Sequence, residues 1–311
     1  ANKAGIDLHL STVGRHAASI HPRVSIGSAG WVNIGSAPTV LDGLRYGALG
    51  GNSPTEAKAR LRWLKMQQAD QRGETGGGAD FRPQPWRHLQ RVLRDMGHAE
   101  DARQIGIAFE EQLRKSGRIG GSLPGTWAPA AWGKRVTAQT AHALFGWLSG
   151  YGYRPMRLLG WMALVWLVCA LCYWRLALPP HDAIGPSDPL VFQNQRYAAC
   201  VPGSEAASEL ADRGAKRGGN WYLCEPLPAE YSTFSPLAYS LDIILPLVDL
   251  GQEKAWGPLV PTPLPEAWRE LVSLSPGHAV RWLVWLETLF GWIGSLLLVG
   301  IVSGFARRTE E

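Results

Sequence analysis

Two long apolar segments without charged residues constrain this chain more than any other feature. Residues 158–174 are seventeen positions without a charge, and residues 288–306 are nineteen more, preceded by further apolar positions from 282. A helix of about 20 residues covers the ~30 Å hydrocarbon layer of a bilayer. The pattern predicts an α-helical membrane protein with two transmembrane helices, at 156–179 and 281–306.

Arginines beside these segments predict the orientation. Arg154 and Arg157 lie just before the first segment, and Arg307 and Arg308 follow the second. Positively charged flanks remain on the cytoplasmic side. We therefore expect a bacterial inner (plasma) membrane protein with both termini in the cytoplasm, including a tail at 307–311, and a periplasmic or extracellular loop at 180–280.

The basic charge of the chain is confined to its first half. Residues 1–157 hold 21 Lys and Arg against 11 Asp and Glu, a net charge of +10, whereas residues 158–280 carry −5. The basic half has no zinc-ligand spacing and no Lys/Arg run longer than two, so we do not expect a nucleic-acid partner. A basic face beside an anionic lipid leaflet accounts for the charge. The expected partner is the lipid bilayer.

The first 150 residues predict a cytoplasmic part made of two regions. Short β-branched pieces separated by Gly and Ser at 1–50 predict a β-rich region, either the end of a β-solenoid or a small irregular β cap. We expect helices over 51–150. The first begins with Ser53 as N-cap and reaches about residue 71, and an αα-hairpin follows at 85–118. A helix at 136–148 has the composition of a membrane-surface helix.

Four cysteines divide into two pairs. Cys200 and Cys224 lie in the predicted outer loop, where a disulfide would close 25 residues; two free thiols are the alternative. Cys169 and Cys172 form a C-x-x-C inside the first apolar segment. A thiolate is very costly there, so we interpret them as two small apolar residues rather than a redox pair.

The segment 234–256 is apolar but too short to span a bilayer, and Pro246 divides it. Its position between the two long segments predicts a re-entrant or interfacial segment. Asp242 and Asp249 would then lie near the membrane surface. Repeated around an oligomer axis, they would form the cation-attracting mouth of a pore. The alternative, which we favour slightly, is that both carboxylates cap helix ends or turns.

Two further features of the second apolar segment bear on function. Glu287 is an ionisable residue within it, and either reaches outward to the surface or lines a cavity. Gly300 and Gly304 form a G-x-x-x-G motif, which permits close helix packing. We expect a homo-oligomer on this basis.

Five motifs occur in a characteristic order around the two segments. They are residues 41–46, 96–103 and 150–155 before the first segment, and 239–242 and 245–251 before the second. In this order, over most of the chain from about residue 40, the sequence resembles bacterial two-span membrane proteins with an N-terminal pentapeptide-repeat or β-solenoid region. Members are often labelled membrane-associated oxidoreductases. This chain has no G-x-G-x-x-G after a strand, no haem motif and no accessible C-x-x-C, so we expect no cofactor.

The order of span, re-entrant segment and span also resembles two-helix pore-loop channels. Residues 236–240 are similar to the start of their pore helices. No Thr-Val-Gly-Tyr-Gly filter follows, so the resemblance does not imply potassium selectivity.

These observations predict three functions in order of preference. The first is a membrane-anchored scaffold or sensor whose cytoplasmic region binds a protein partner. The alternative is an oligomeric pore-loop-like ion channel, and the third is the membrane-associated oxidoreductase of the resembling family. No spacing of Asp, Glu, His or Cys predicts a catalytic or metal site.

Overall fold

The computed structural model describes residues 41–50, 53–65, 67, 81–120, 128–212, 218–224, 227, 231–260 and 275–308. It divides the chain into two compact units after Arg154. Most of the β-rich region predicted at 1–50 lies outside the described residues. The described part, 41–50, makes turns and an isolated β-bridge at Gly50, and contains no solenoid.

The described residues of the first unit form four helices. They are α1 (Ala57–Leu64), α2 (Gln84–Asp95), α3 (Ala99–Lys115) and α4 (Ala128–Ser149). The apolar faces of α1, α2 and α3 enclose a core that also takes in the preceding segment, including Leu41 and Tyr46. The predicted αα-hairpin is confirmed as α2 and α3. Gly97 adopts the left-handed conformation, with φ +86°, that ends a helix without a Cβ clash.

Helix α1 begins later than the sequence predicts. Its N-cap is Glu56 instead of Ser53, and the Glu56 side chain makes no capping hydrogen bond. The Ala57 N–H instead donates to the Asp101 carboxylate of α3, at 2.8 Å. A carboxylate from a neighbouring helix therefore satisfies a donor that local capping was expected to satisfy. The helix also ends early, at Leu64.

The second unit combines two long helices with short elements between them. They are α5 (Pro155–Ala177), β1 (Ile184–Pro186), α6 (Pro189–Phe192), a 3₁₀ turn (Gln195–Cys200), α7 (Glu205–Asp212), α8 (Pro236–Ile244), α9 (Gln252–Ala255), β2 (Trp256–Pro258) and α10 (Pro276–Arg308). The predicted helical class is confirmed, with one small antiparallel sheet among the described residues.

Both long helices are long and apolar enough to cross a membrane. The candidate spans are Pro155–Ala177 and Pro276–Gly304. In the most apolar 18-residue stretch of the first helix only 28% is buried inside the structure, and in that of the second helix only 22%. A core helix of a soluble protein is mostly covered by its own chain, so these helices present far more bare apolar surface than such a helix does.

The elements between α5 and α10 form a small module. Strand β1 pairs antiparallel with β2, so that Ile184 lies opposite Pro258. The Leu259 N–H donates to the Ala183 carbonyl at 2.8 Å and extends the pairing. Trp221 and Trp256 are buried in a core that continues into the last turns of α5 and the first turns of α10. The module is therefore continuous with the ends of α5 and α10.

The disulfide between Cys200 and Cys224 is confirmed. Their Cα atoms are 5.5 Å apart, and the bond joins the 3₁₀ turn to the segment after Trp221. Cys169 and Cys172, both on α5, are free thiols. The only covalent crosslink formed by these four residues therefore lies in the module.

We predict that denatured, unreduced protein exposes two alkylatable thiols, and reduced protein four. Closing a loop of 24 positions stabilises a fold by about 3 kcal/mol in the chain-entropy description, so reduction or Cys200→Ala should destabilise the module by a similar amount. Mass spectrometry after alkylation counts the thiols, and Cys172→Ala is the matched control. Four reactive thiols before reduction would contradict the assignment.

Candidate functional site around Glu287

One face of α10 is covered by the rest of the unit, and Glu287 lies on it. The covered residues recur at intervals of three, four or seven positions, which is the spacing of one helical face. They are Gly277, Val280, Glu287, Gly291, Gly294 and Ile301. The Glu287 side chain is only 1% exposed. It therefore lies between helices and does not reach outward.

Three polar groups from two other helices contact this carboxyl. The Tyr173 hydroxyl of α5 donates to Glu287 Oε2 at 2.7 Å. The Ser240 hydroxyl of α8 lies within hydrogen-bond distance of Glu287 Oε1. The Cys169 thiol, one turn before Tyr173, also contacts the carboxyl. The site therefore gathers one residue from α10, two from α5 and one from α8.

Two hydrogen bonds to Trp166 of α5 help to hold helix α8 between the two long helices. It starts with Ser235 as N-cap and Pro236 in its first turn, a favourable combination at a helix start. The Trp166 indole N–H donates to the Leu237 carbonyl, and the Ser240 hydroxyl lies 2.9 Å from the Trp166 carbonyl. These contacts fix α8 against the middle of α5 and aim Ser240 at Glu287.

Glycines on α10 allow α8 and α5 to approach closely. A Cβ at Gly291 would lie 2.2 Å from the Ile244 carbonyl oxygen at the end of α8. A Cβ at Gly294 would lie 3.2 Å from the Met162 sulfur on α5. The bare backbone of α10 thus provides the space in which α8 fits.

Aromatic rings cover the side of the site that faces the module. Tyr173 and Tyr239 meet edge to face, with ring centroids 4.9 Å apart. Phe234 lies 5.4 Å from Tyr239 and 5.3 Å from Trp256 by the same measure. All four rings are buried. The Glu287 carboxyl therefore lies in apolar surroundings with few polar partners.

Asp242 and Asp249, the predicted pore mouth, both bind the turn that follows α8. Asp242 is buried and accepts the backbone N–H groups of Leu250 and Glu253, at 2.6 and 2.9 Å. Asp249 is exposed, accepts the Gly251 N–H at 3.0 Å and pairs with Lys254. This is the capping role that the sequence favoured. The pore-mouth role stays a prediction.

Two carboxyl groups around this turn have shifted pKa values. The hydrogen bond from Lys254 holds the pKa of Asp249 below its usual range. Partial burial, with Asp242 and Asp249 nearby, raises the pKa of Glu253. The turn thus concentrates negative charge, of which Lys254 neutralises one unit.

The turn also presents unusual apolar surface. Leu247 is 90% exposed, and Val248 and Leu250 are exposed beside it. On α8 itself, Leu237 is exposed as well. Four exposed large apolar side chains around one short helix match the surface expected of a re-entrant or interfacial segment.

The remaining predicted site residues lie away from Glu287. Gly300 and Gly304 have nothing within 4 Å of an added Cβ, so within this chain Gly291 and Gly294 make the close contacts instead. Arg154, in the first unit, donates to Glu100 at 3.3 Å, and Arg157 is exposed. Arg307 and Arg308 are the last residues of α10.

With this geometry established, similarity to known proteins was sought. No protein-family model matches the chain, and no curated protein or solved structure is significantly similar to it. The resemblance to bacterial two-span membrane proteins therefore stays a prediction. Among the described residues, no group of three or more His, Cys, Asp or Glu side chains could hold a metal ion.

The sequence identified Glu287 but not its partners. Tyr173 and Cys169 lie on the covered face of α5 with Leu158, Met162 and Ala177, again at helical spacing. That periodicity could have placed them towards a neighbouring helix. The sequence placed Ser240 in two motifs, at 236–240 and 239–242, but gave no sign of its contact with Glu287, because that contact depends on α8 packing between two helices that are distant in the chain.

We predict that Gly291→Ala destabilises the protein by about 1–3 kcal/mol, since its methyl group would collide with the backbone of α8. The matched control is Gly300→Ala on the same helix, where the space is open. We expect this control to change stability by less than about 0.5 kcal/mol. Thermal unfolding in detergent measures both, and equal effects of the two substitutions would contradict the predicted packing.

Proposed function

We propose that this chain is a two-span protein of the bacterial inner membrane that acts as a membrane-anchored scaffold or sensor. Both termini would lie in the cytoplasm and residues 180–280 outside. The observation that carries the proposal is the bare apolar surface of α5 and α10, whose most apolar windows are only 28% and 22% buried.

The cost of leaving this surface in water supports membrane insertion. The exposed large apolar side chains of the two helices are Met156, Leu159, Leu164, Leu167, Val168, Leu171, Trp174, Trp282, Trp285, Leu286, Leu289, Trp292, Ile293, Leu296, Val299 and Val302. Covering one such side chain is worth about 1.5–3 kcal/mol. Together they correspond to tens of kcal/mol, which exceeds the net stability of about 5–15 kcal/mol of a typical folded protein.

Tryptophans support an interface at the outer ends of both helices. Trp174 lies near the end of α5, and Trp282 and Trp285 lie near the start of α10, all with exposed rings. Trp is enriched at the boundary between lipid and water, where the ring is buried and the N–H remains hydrated.

Charge and cysteine chemistry support the same orientation. Arg154 precedes α5 and Arg157 lies in its first turn, on the side that we assign to the cytoplasm, where positive flanks are retained. The Cys200–Cys224 disulfide lies in the segment that we assign to the outside, and disulfides persist in oxidising compartments. The bacterial location follows from the resemblance of the sequence.

The scaffold or sensor role is supported by the separate helical unit that precedes α5. Its helix α4 exposes Trp132, Val136 and Leu144. Together with Lys134 and Arg135, this surface has the composition of a helix that binds a protein partner or a lipid surface. The chain would then hold a binding unit at the membrane by its two spans.

We predict that the protein remains in the membrane pellet after high-salt and alkaline washing, and leaves it only in detergent. In intact spheroplasts, external protease should cut within 180–280 and leave an epitope at the C-terminus protected until the cells are lysed. Immunoblotting with tags at each end measures both results, and a soluble cytoplasmic protein, which stays protected while the membrane is sealed, is the control for intact membranes. Release of the protein by salt alone would overturn the proposal.

A second candidate is an oligomeric pore-loop-like ion channel. The observation that favours it is the packing of α8, a short helix between two candidate spans, against both α5 and α10. An apolar turn with the exposed Leu247 follows α8 directly. Pore-loop channels use a short helix in this position. Gly300 and Gly304, with open space around them, would serve as the contact between copies.

The channel requires both an oligomer and conductance, so the two functions separate experimentally. For a channel, we predict cation currents in planar bilayers that Asp249→Asn reduces, since this substitution removes an exposed negative charge. The matched control is Asp188→Asn, which removes a carboxylate N-cap in the module. A monomer in detergent that gives no current would support the scaffold or sensor.

A further inference from the structure

Glu287 is a buried acid to which the described residues around it supply no positive charge. Its contacts are the Tyr173 hydroxyl, the Ser240 hydroxyl and the Cys169 thiol, all of which are neutral. Within the described ranges, no Lys, Arg or His forms an ion pair with it. An ionised carboxylate buried without a counter-charge costs several kcal/mol. The neutral acid avoids that cost.

The hydrogen bonds around Ser240 point to the same form of the acid. A serine hydroxyl has a single proton to donate, but Ser240 Oγ lies within bonding distance of two oxygens, Glu287 Oε1 and the Trp166 carbonyl. The Trp166 carbonyl can only accept. If Ser240 donates to Trp166, the proton between Ser240 and Glu287 must come from Glu287.

A protonated Glu287 completes a continuous chain of hydrogen bonds. Tyr173 donates to Glu287 Oε2, Glu287 donates from Oε1 to Ser240, and Ser240 donates to the Trp166 carbonyl. Every hydroxyl in this chain then has an acceptor. In the ionised form Ser240 must turn its proton to Glu287, so the bond from α8 to the Trp166 carbonyl of α5 is lost.

A metal cation fits these oxygens less well than a proton does. The Tyr173 oxygen and Glu287 Oε2 are 2.7 Å apart, which is the ordinary separation of an O–H···O bond. Ser240 approaches the other carboxyl oxygen at hydrogen-bond distance. A sodium ion bound among them would have to push these oxygen pairs apart.

Other titratable groups around the site add no positive charge at the carboxyl. On α8, Tyr239 lies within electrostatic range of three acids, namely Glu287, Asp242 and Glu253. On α10 itself, the basic residues His278 and Arg281 precede Glu287 by more than one turn. On α5, Cys169 and Tyr173 contact the carboxyl and Cys172 lies near Cys169, whereas the two arginines of this helix, Arg157 and Arg175, are exposed. An acidic neighbourhood opposes a further negative charge.

We propose that Glu287 is a proton-binding site, occupied at neutral pH, whose bound proton holds α8 against α5. Proton release leaves a carboxylate at Glu287 and transfers H⁺ to solvent, and Ser240 then rotates away from Trp166. The proton is thus the ligand that a sensor built on this chain detects. The inference rests on the proposed membrane-anchored sensor and specifies what it senses.

The test is infrared spectroscopy of the full chain in lipid nanodiscs, labelled with ¹³C at the glutamate carboxyl groups. At pH 7 we expect a carboxylic-acid C=O band in the wild-type protein that is lost in Glu287→Gln and fades as the pH is raised. Glu209→Gln, which changes an exposed glutamate on α7, is the matched control and should keep the band. Ionised carboxylate bands alone at pH 7 would overturn the proposal.

The design separates the other outcomes. The amide introduced by Glu287→Gln can accept from Tyr173 and donate to Ser240, so the variant should retain the wild-type thermal stability. If it does not fold, Ser240→Ala assigns the band instead: removal of this hydroxyl should shift the band of Glu287, and an unchanged band would overturn the proposal. Loss of the wild-type band when NaCl replaces choline chloride would assign a sodium site and overturn the proton assignment. A chain that stays soluble without detergent refutes the membrane function, whereas the band is measurable in either case.

Discussion

The position of α8 between α5 and α10 is the constraint on which the second unit depends. A nine-residue helix is too short to be stable alone, so it forms because its neighbours order it. The Trp166 and Ser240 bonds attach it to α5, and the bare backbone at Gly291 admits its last carbonyl. These contacts also create the enclosed space that holds Glu287.

The short helix also joins the module to the two long helices. Asp242, on the side of α8 that faces the following turn, accepts two backbone N–H groups and folds that turn back. Gln252 continues the connection, since its side-chain oxygen accepts the Ser235 N–H just before α8 and its amide donates to Ser232. The two ends of the segment are therefore bonded to each other. These polar contacts thus hold together a segment whose exposed side chains, Leu237, Leu247, Val248 and Leu250, are apolar.

Local patterns in the sequence predicted the elements whose formation depends on composition. The two long apolar helices, the α2–α3 hairpin with Gly97 at its turn, and the Cys200–Cys224 pair all follow from residue type and spacing. The turn-capping role of Asp242 and Asp249 was available as an alternative for the same reason, since Asp commonly bonds nearby backbone N–H groups.

Features that depend on contacts between distant segments were missed or misplaced. The predicted start of α1 was wrong because Asp101, 44 positions away, accepts the hydrogen bond of the Ala57 N–H. The partners of Glu287 come from positions 114 and 47 residues away, so no local pattern could assign them. The G-x-x-x-G motif drew attention to Gly300 and Gly304, whereas the close contacts within the chain use Gly291 and Gly294.

Pairing of β1 with β2 has a mechanical consequence. Ala183 follows α5 closely and bonds to Leu259, while the backbone of Leu259 packs directly on Gly277 in the first turn of α10. The same short strand pair therefore clamps the starting turn of one long helix to the end of the other. Together with the contact of Gly294 and Met162 further along the helices, this clamp restrains any scissoring of α5 against α10.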